Sequence, residues 1–213
     1  MNETNFLETL RGVRVVPVIR LASRAASERA ARWCVEEGFP VVEITLTCPE
    51  ATTVIAALAE APGVTVGAGT VLDLEGARRV LEAGARFVVS PAAVEGLVEA
   101  VLSAGAAALP GALSPSEVLA RAREGATAVK VFPAKQAGGP AYLKALRQVF
   151  PEVPLMPTGG ITPEDIGGYL AAGAIAVGIG GDLVDAAEIE AGDRAAFAAR
   201  AARLRAALRT AAA

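Results

Sequence analysis

The amino-acid sequence predicts a single α/β domain over residues 1–213, a (β/α)8 TIM barrel with a short helix before its first strand. Short β-branched runs alternate with longer Ala/Leu/Glu/Arg stretches of helical period. A phrase of Glu or Ala, then Gly, then an apolar run recurs at Glu37-Gly38, Ala83-Gly84, Ala104-Gly105, Glu124-Gly125 and Ala172-Gly173. Each strand-like run is followed by a helical stretch, which suits a closed barrel whose strands carry function at their carboxyl ends. An open doubly wound sheet uses similar units, but no GxGxxG fingerprint follows a strand here, and Gly67-Ala-Gly-Thr70 does not complete one.

The elements follow in order. A helix near 2–10 precedes strand 13–19; Ser23 and Ser27 then open a helix over 23–37 that Gly38 ends. Strand 41–45 leads to helix 49–61, strand 65–69 to helix 73–83, and strand 87–90 to helix 94–104, the last two stopped by Gly84 and Gly105. Strand 107–110 precedes helix 115–124, which Ser114-Pro115 starts and Gly125 stops. Strand 128–132 feeds helix 140–150, and strand 155–158 feeds helix 163–172, opened by Thr162-Pro163-Glu164 and closed by Gly173. Strand 175–178 and a helix over 194–210 complete the chain.

Composition narrows the chemistry. Hydrophobic residues make up 53% and mean hydropathy is +0.45, yet no apolar run reaches the ~20 residues of a membrane span. That content points to strands buried on both faces. The first residues lack the basic region and apolar core of a signal peptide. With only Cys34 and Cys48, both read as small apolar fillers, a disulfide framework is not expected, and a cytoplasmic location is. Net charge is −3 with scattered basic residues, so neither nucleic acid nor membrane is an expected partner. The chain has no histidine, which removes most zinc sites and Ser-His-Asp triads; no metal or cofactor is expected. Chemistry must come from Lys, Arg, Glu, Asp, Thr, Ser, Tyr and backbone groups.

Only three of the 20 basic residues are lysine, and Lys135 and Lys144 fall in a loop and on a helix, where solvated roles are expected. Lys130 stands alone in Ala-Val-Lys-Val-Phe, with Ala128, Lys130 and Phe132 on one strand face. Burial disfavours the ammonium form, and a neutral amine in a dry pocket is what attack on a carbonyl requires. The plainer alternative is a lysine paired with a carboxylate inside the core. Glu43, in Val-Val-Glu-Ile-Thr, is the natural partner, either as a proton shuttle or as a counter-ion. Arg20, closing the first strand, suits a fork gripping a carboxylate or equally an arginine covering the rim. Thr70, after Gly67-Ala-Gly69, could offer its hydroxyl and N–H to the same carboxylate. Two glycine-rich turns, Thr158-Gly159-Gly160 and Gly180-Gly181-Asp182, follow the last two strands, where barrels often bind phosphate through backbone N–H groups.

Together the motifs Glu43-Ile-Thr-Leu-Thr, Gly67-Ala-Gly-Thr-Val, Ser90-Pro91, Leu109-Pro-Gly111, Lys130-Val-Phe-Pro-Ala and Pro157-Thr-Gly-Gly-Ile resemble the 2-keto-3-deoxy-6-phosphogluconate (KDPG) / 4-hydroxy-2-oxoglutarate (KHG) aldolases, in order from Val15 to Val184. The resemblance implies a class I, metal-independent aldolase, usually a homotrimer, that cleaves a 2-keto-4-hydroxy acid to pyruvate and an aldehyde. It implies Lys130 as the Schiff base, Glu43 as general acid/base, and Thr70 on the pyruvyl carboxylate. Pro91 and Phe132 would line the pocket, with Thr158, Gly159 and Gly160 at the distal end of the keto-acid substrate. Some members carry an arginine where this chain has Thr47; others end the first strand with arginine, as Arg20 does. The family's phosphate loop often has a serine where this chain has Gly181, beside Asp182. That leaves backbone N–H groups to hold a phosphate and the choice of substrate open. An alternative reading is a phosphosugar isomerase or synthase barrel with no covalent imine. A non-catalytic binding or assembly barrel is the third.

Overall fold

The computed structural model describes residues 3–211. Helix α1 (Glu3–Val13) precedes β1 (Val15–Ile19), and the elements then run α2 (Arg24–Glu36), β2 (Val41–Thr45), α3 (Ala51–Ala59), β3 (Thr65–Gly69), α4 (Leu74–Glu82), β4 (Phe87–Val89) and α5 (Leu97–Ser103). They continue as β5 (Ala107–Leu109), β6 (Gly111–Ala112), α6 (Pro115–Arg123), β7 (Val129–Val131), α7 (Gly139–Val149) and β8 (Leu155–Pro157). A 3-10 turn (Pro163–Asp165) leads into α8 (Ile166–Ala171), followed by β9 (Val177–Ile179), α9 (Ala186–Ala191) and α10 (Arg194–Thr210).

Local chemistry explains the helix ends. Ser23 Oγ accepts the Ala26 N–H to start α2, and Ser114 and Glu117 form a reciprocal capping box on α6. Gly38, Gly84, Gly105, Gly125 and Gly173 all take positive φ just past a helix, a turn other residues make only with strain. Arg14 (φ 57°) makes that turn after α1, which runs to Val13, so β1 starts two residues later than the pattern predicts. The expected helix start at Asn2 lies outside the described residues. Gly96 (φ 72°) delays α5 to Leu97, and Glu50 (φ 51°) delays α3 to Ala51. Helix α9 is absent from the sequence expectation.

Every ladder is parallel. Six strands run in the order β5-β4-β3-β2-β1-β9, and three run β6-β7-β8. The strand expected at 107–110 is broken at Pro110, which has no N–H to donate: β5 pairs with β4, and β6 pairs with β7. Hydrogen bonds nevertheless pass from one sheet to the other, from Ala128 N to Ala108 O (3.3 Å) and Lys130 N to Pro110 O (3.0 Å). On the far side Ile175 N donates to Leu155 O (3.0 Å), and Thr158 bridges Gly178.

Alternation sorts the apolar residues into two clusters. Val15, Val42, Val88, Ala108, Val129, Leu155 and Val177 pack against the helices. Their strand neighbours Val16, Val41, Phe87, Val89, Ala107, Leu109, Ala128, Met156 and Ala176 form a second cluster, joined by the buried Phe6 and Leu10 of α1. Both faces of the sheets are therefore buried, as parallel strands require. No helix among the described residues is long and apolar enough to cross a membrane. Cys34 and Cys48 are buried and unpaired, and burial pushes the Cys34 thiol far up.

Candidate active site

Arg20, Thr47, Thr70, Pro91, Phe132, Thr158 and Gly180 all lie just past the carboxyl-terminal ends of parallel strands, so one end of the fold gathers them. Lys130 reaches this end from within β7. It pairs in register with Gly111 and Met156, and so shares the strand face of the second apolar cluster. Lys130 is 4% exposed and Glu43 fully buried, and Lys130 Nζ stands 4.0 Å from Glu43 Oε1. Among the described residues neither Glu43 carboxylate oxygen has a hydrogen-bond partner, nor has the buried Thr158 Oγ1. Buried acceptors left bare are costly.

The Gly-Ala-Gly run of β3 makes the room for Glu43. Glu43 is in register with Gly67, and Thr45 with Gly69. A Cβ added at Gly69 would overlap the Glu43 carboxylate, and one at Gly67 would overlap the Phe87 ring. No side chain larger than hydrogen fits at either position without displacing its neighbour.

Arg20 and Thr70, singled out separately by their positions, are hydrogen-bonded to each other. Arg20 Nη2 donates to Thr70 Oγ1 (2.9 Å) and Nη1 to Thr47 Oγ1 (3.0 Å). Thr47 in turn shares a hydrogen bond with Thr45 (2.8 Å). Thr70 holds φ at 57°, unusual for a β-branched residue, where its hydroxyl meets the guanidinium. Among the described residues no carboxylate forms an ion pair with Arg20. The guanidinium is thus steered by two hydroxyls and keeps its charge free for an anion. In the sequence Thr47 stands out only as a replacement for an arginine; its contact depends on two loops meeting, which no local pattern signals.

The remaining predicted residues divide between two rims. The Phe132 ring, 36% exposed, has Lys130 Nζ 5.3 Å from its centroid. A Cβ at Gly159 would sit 3.1 Å from that ring, and one at Gly160 would sit 3.2 Å from Lys135 Cβ. Pro91 packs its backbone where a side chain at Gly111 would go, beside Lys130's partner in β6. Thr158 covers Gly178, again where a Cβ would stand. Gly180 and Gly181 line a separate depression of about 310 Å3 with Val18, Arg20, Val184 and Asp185. Asp185 caps α9 by accepting the Glu188 N–H (3.1 Å), and Arg200 is held by Glu188 (2.7 Å) and Asp185 (3.4 Å). Lys135 Nζ pairs with Asp165 Oδ2 (2.9 Å). Burial raises the Asp165 carboxyl, but the Thr162 N–H and hydroxyl together with Lys135 hold it below its usual range.

A buried lysine beside a buried carboxylate at the strand ends of a parallel α/β fold is an arrangement open to lysine-based carbonyl chemistry. The family model for KDPG and KHG aldolases matches residues 7–199, and the chain belongs to that family. It is 38% identical over 180 residues to the KHG/KDPG aldolase of Escherichia coli K12, covering 84% of each chain. It superposes on the 2-keto-3-deoxy-6-phosphogluconate aldolase of Zymomonas mobilis with a TM-score of 0.81 at 32% identity, covering 93% of this chain and 95% of that one. It is also similar to the KDPG aldolase of Legionella pneumophila, solved with pyruvate captured as a covalent carbinolamine. There the TM-score is 0.83 at 30% identity, with 92% and 96% covered.

Proposed function

We propose that this chain is a class I aldolase cleaving 2-dehydro-3-deoxy-6-phosphogluconate, 4-hydroxy-2-oxoglutarate or both, giving pyruvate with D-glyceraldehyde 3-phosphate or glyoxylate. The observation that carries the reading is the buried Lys130 amine 4.0 Å from a buried Glu43 carboxylate that accepts no hydrogen bond among the described residues. The Lys130 amine adds to the C2 carbonyl of the keto acid, and loss of water leaves a protonated imine. Glu43 takes the C4 hydroxyl proton as the C3–C4 bond breaks. The bonding pair moves into the imine to form an enamine, and the aldehyde departs. Protonation at C3 and hydrolysis then release pyruvate and restore the amine. Arg20 and Thr70 hold the C1 carboxylate, and Pro91 and Phe132 shape the apolar wall. Thr158, Gly159, Gly160, Gly180 and Gly181 border the distal end.

The same reading includes closure of the two sheets into one (β/α)8 barrel. Its support is the hydrogen bonding across both sheet junctions and the helix-poor cluster on one strand face. Assembly as a homotrimer is also part of it; Leu72 and Leu74, 60% and 48% exposed, are apolar surface that a second copy could cover. A phosphosugar isomerase or synthase acting without an imine is not favoured, because the family match is to aldolases.

The test is release of pyruvate from each keto acid in the presence and absence of EDTA. Equal, rapid release in both supports the reading. Pyruvate release that collapses with EDTA, or is undetectable from both acids, removes it.

A further inference from the structure

Lys135 is the second lysine of the strand-end region, five residues beyond Lys130. A chain of contacts leads to it from the reacting amine: Lys130 Nζ lies over the Phe132 ring, the ring lies against Gly159, and the next glycine lies against the Lys135 stem. A Cβ at Gly160 would sit 3.2 Å from Lys135 Cβ and 3.3 Å from Cδ, so the glycine turn passes close against the stem. The backbones agree, with Ala134 N donating to Thr158 O (2.9 Å) and Lys135 N to Gly159 O (3.2 Å). The ammonium is 47% exposed at the side chain and rests on Asp165.

Asp165 does not depend on Lys135. The same Oδ2 accepts the Thr162 N–H (3.0 Å) and hydroxyl (3.1 Å), and these remain if the lysine swings away. An exposed ion pair is worth little, so the ammonium is easily transferred to a better anion. Among the described residues the opposite rim offers no such lysine. There Asp182 and Asp185 border Gly181, and Arg200 is occupied by Glu188 and Asp185. Arg20, the remaining cation bordering that rim, is taken by the C1 carboxylate in the reading above.

Resting on the aldolase reading above, which already puts the substrate's far end beside Gly159 and Gly160, we propose that Lys135 leaves Asp165 to bind its terminal phosphate or carboxylate. Lys135 is then a determinant of specificity that selects keto acids with an anionic end over those with a neutral one.

The experiment compares wild type, Lys135→Met, Lys135→Arg and Asp165→Asn on three substrates. These are the phosphorylated six-carbon keto acid, its unphosphorylated neutral-ended counterpart and the carboxylate-ended 4-hydroxy-2-oxoglutarate. Loss of a charged hydrogen bond predicts that Lys135→Met lowers kcat/KM for at least one anionic substrate relative to the neutral one by about tenfold or more, mainly through KM. Lys135→Arg should recover most of that ratio, and Asp165→Asn, which breaks the same ion pair but keeps the cation, should preserve it. The anionic substrate that loses more identifies the anion. An equal change on all three substrates, no change on any, or an Asp165→Asn loss matching Lys135→Met would overturn the proposal. Borohydride trapping of pyruvate on Lys130 is run alongside. If wild type traps no pyruvate, the aldolase reading fails and this one with it; if it traps and the ratios do not move, this one fails alone.

Discussion

The Glu43 carboxylate lies directly against the Cα of Gly69, so that a methyl group there would overlap Oε1 and stand 2.8 Å from Cγ. The glycine is what lets a buried carboxylate point toward Lys130. Gly69→Ala should therefore leave a folded protein, destabilised by about 1–3 kcal/mol from overpacking, whose carboxylate is displaced. We expect kcat to fall by about 10²-fold or more, comparable to Glu43→Gln, since proton transfer by a placed group contributes roughly 10²–10⁴. Circular dichroism and pyruvate release check the two halves; a fully active Gly69→Ala enzyme would show that Glu43 needs no fixed position.

Arg20 is aligned by Thr47 and Thr70. Arg20→Met is expected to raise KM for the keto acids by about 10- to 100-fold, the loss of a charge-assisted hydrogen bond. Arg20→Lys should recover little, because an ammonium cannot bond both threonines and a carboxylate in the planar fork. Steady-state kinetics decide it, and an unchanged KM would make Arg20 a rim residue only.

Helix α1 closes the amino-terminal end of the strands with Phe6 and Leu10, and the Phe6 and Phe87 rings lie 5.1 Å apart. Truncating Phe6 to Ala should cost about 3–5 kcal/mol. The denaturation midpoint measures this; a shift worth less than about 1 kcal/mol would mean α1 is dispensable to the core.

Glu37 accepts hydrogen bonds from Arg205 and from Arg194 (2.7 Å), and the Arg205 bond above all holds its carboxyl below the usual range. It ionises more readily folded than unfolded. Its contribution is therefore full above the unfolded carboxylate value of about 4.3 and fades as pH falls through the folded one. Glu37→Gln should be less stable than wild type near pH 7, and the two proteins should converge in acid. Unfolding curves across pH test this, and a gap that widens in acid would reverse the sign.

Much of this arrangement was legible in single strands. Alternation alone placed Lys130 with Ala128 and Glu43 with Val41 on buried faces, and both neighbours do lie in the second cluster. The glycine stops at 38, 84, 105, 125 and 173 were legible because each needs a left-handed turn. What was hidden depended on chain segments meeting. Helix α9 spans six residues, Ala-Ala-Glu-Ile-Glu-Ala, too few for a period to declare itself. Thr47 acquires its partner only when the ends of β1, β2 and β3 converge. Lys135 reads as a solvated loop residue, and its half-exposed side chain agrees; what the pattern hides is Gly160 against its stem. Pro110 divides what reads as one strand, because its neighbours on either side belong to different ladders.

The central claim, that Lys130 forms a covalent imine, is tested most directly by incubating the protein with pyruvate and borohydride and weighing the digested peptides. The account predicts one reduced pyruvyl adduct, on the peptide carrying Lys130 and absent from a Lys130→Met variant. Full turnover with that peptide unmodified, or an adduct on Lys135 or Lys144 instead, would contradict it.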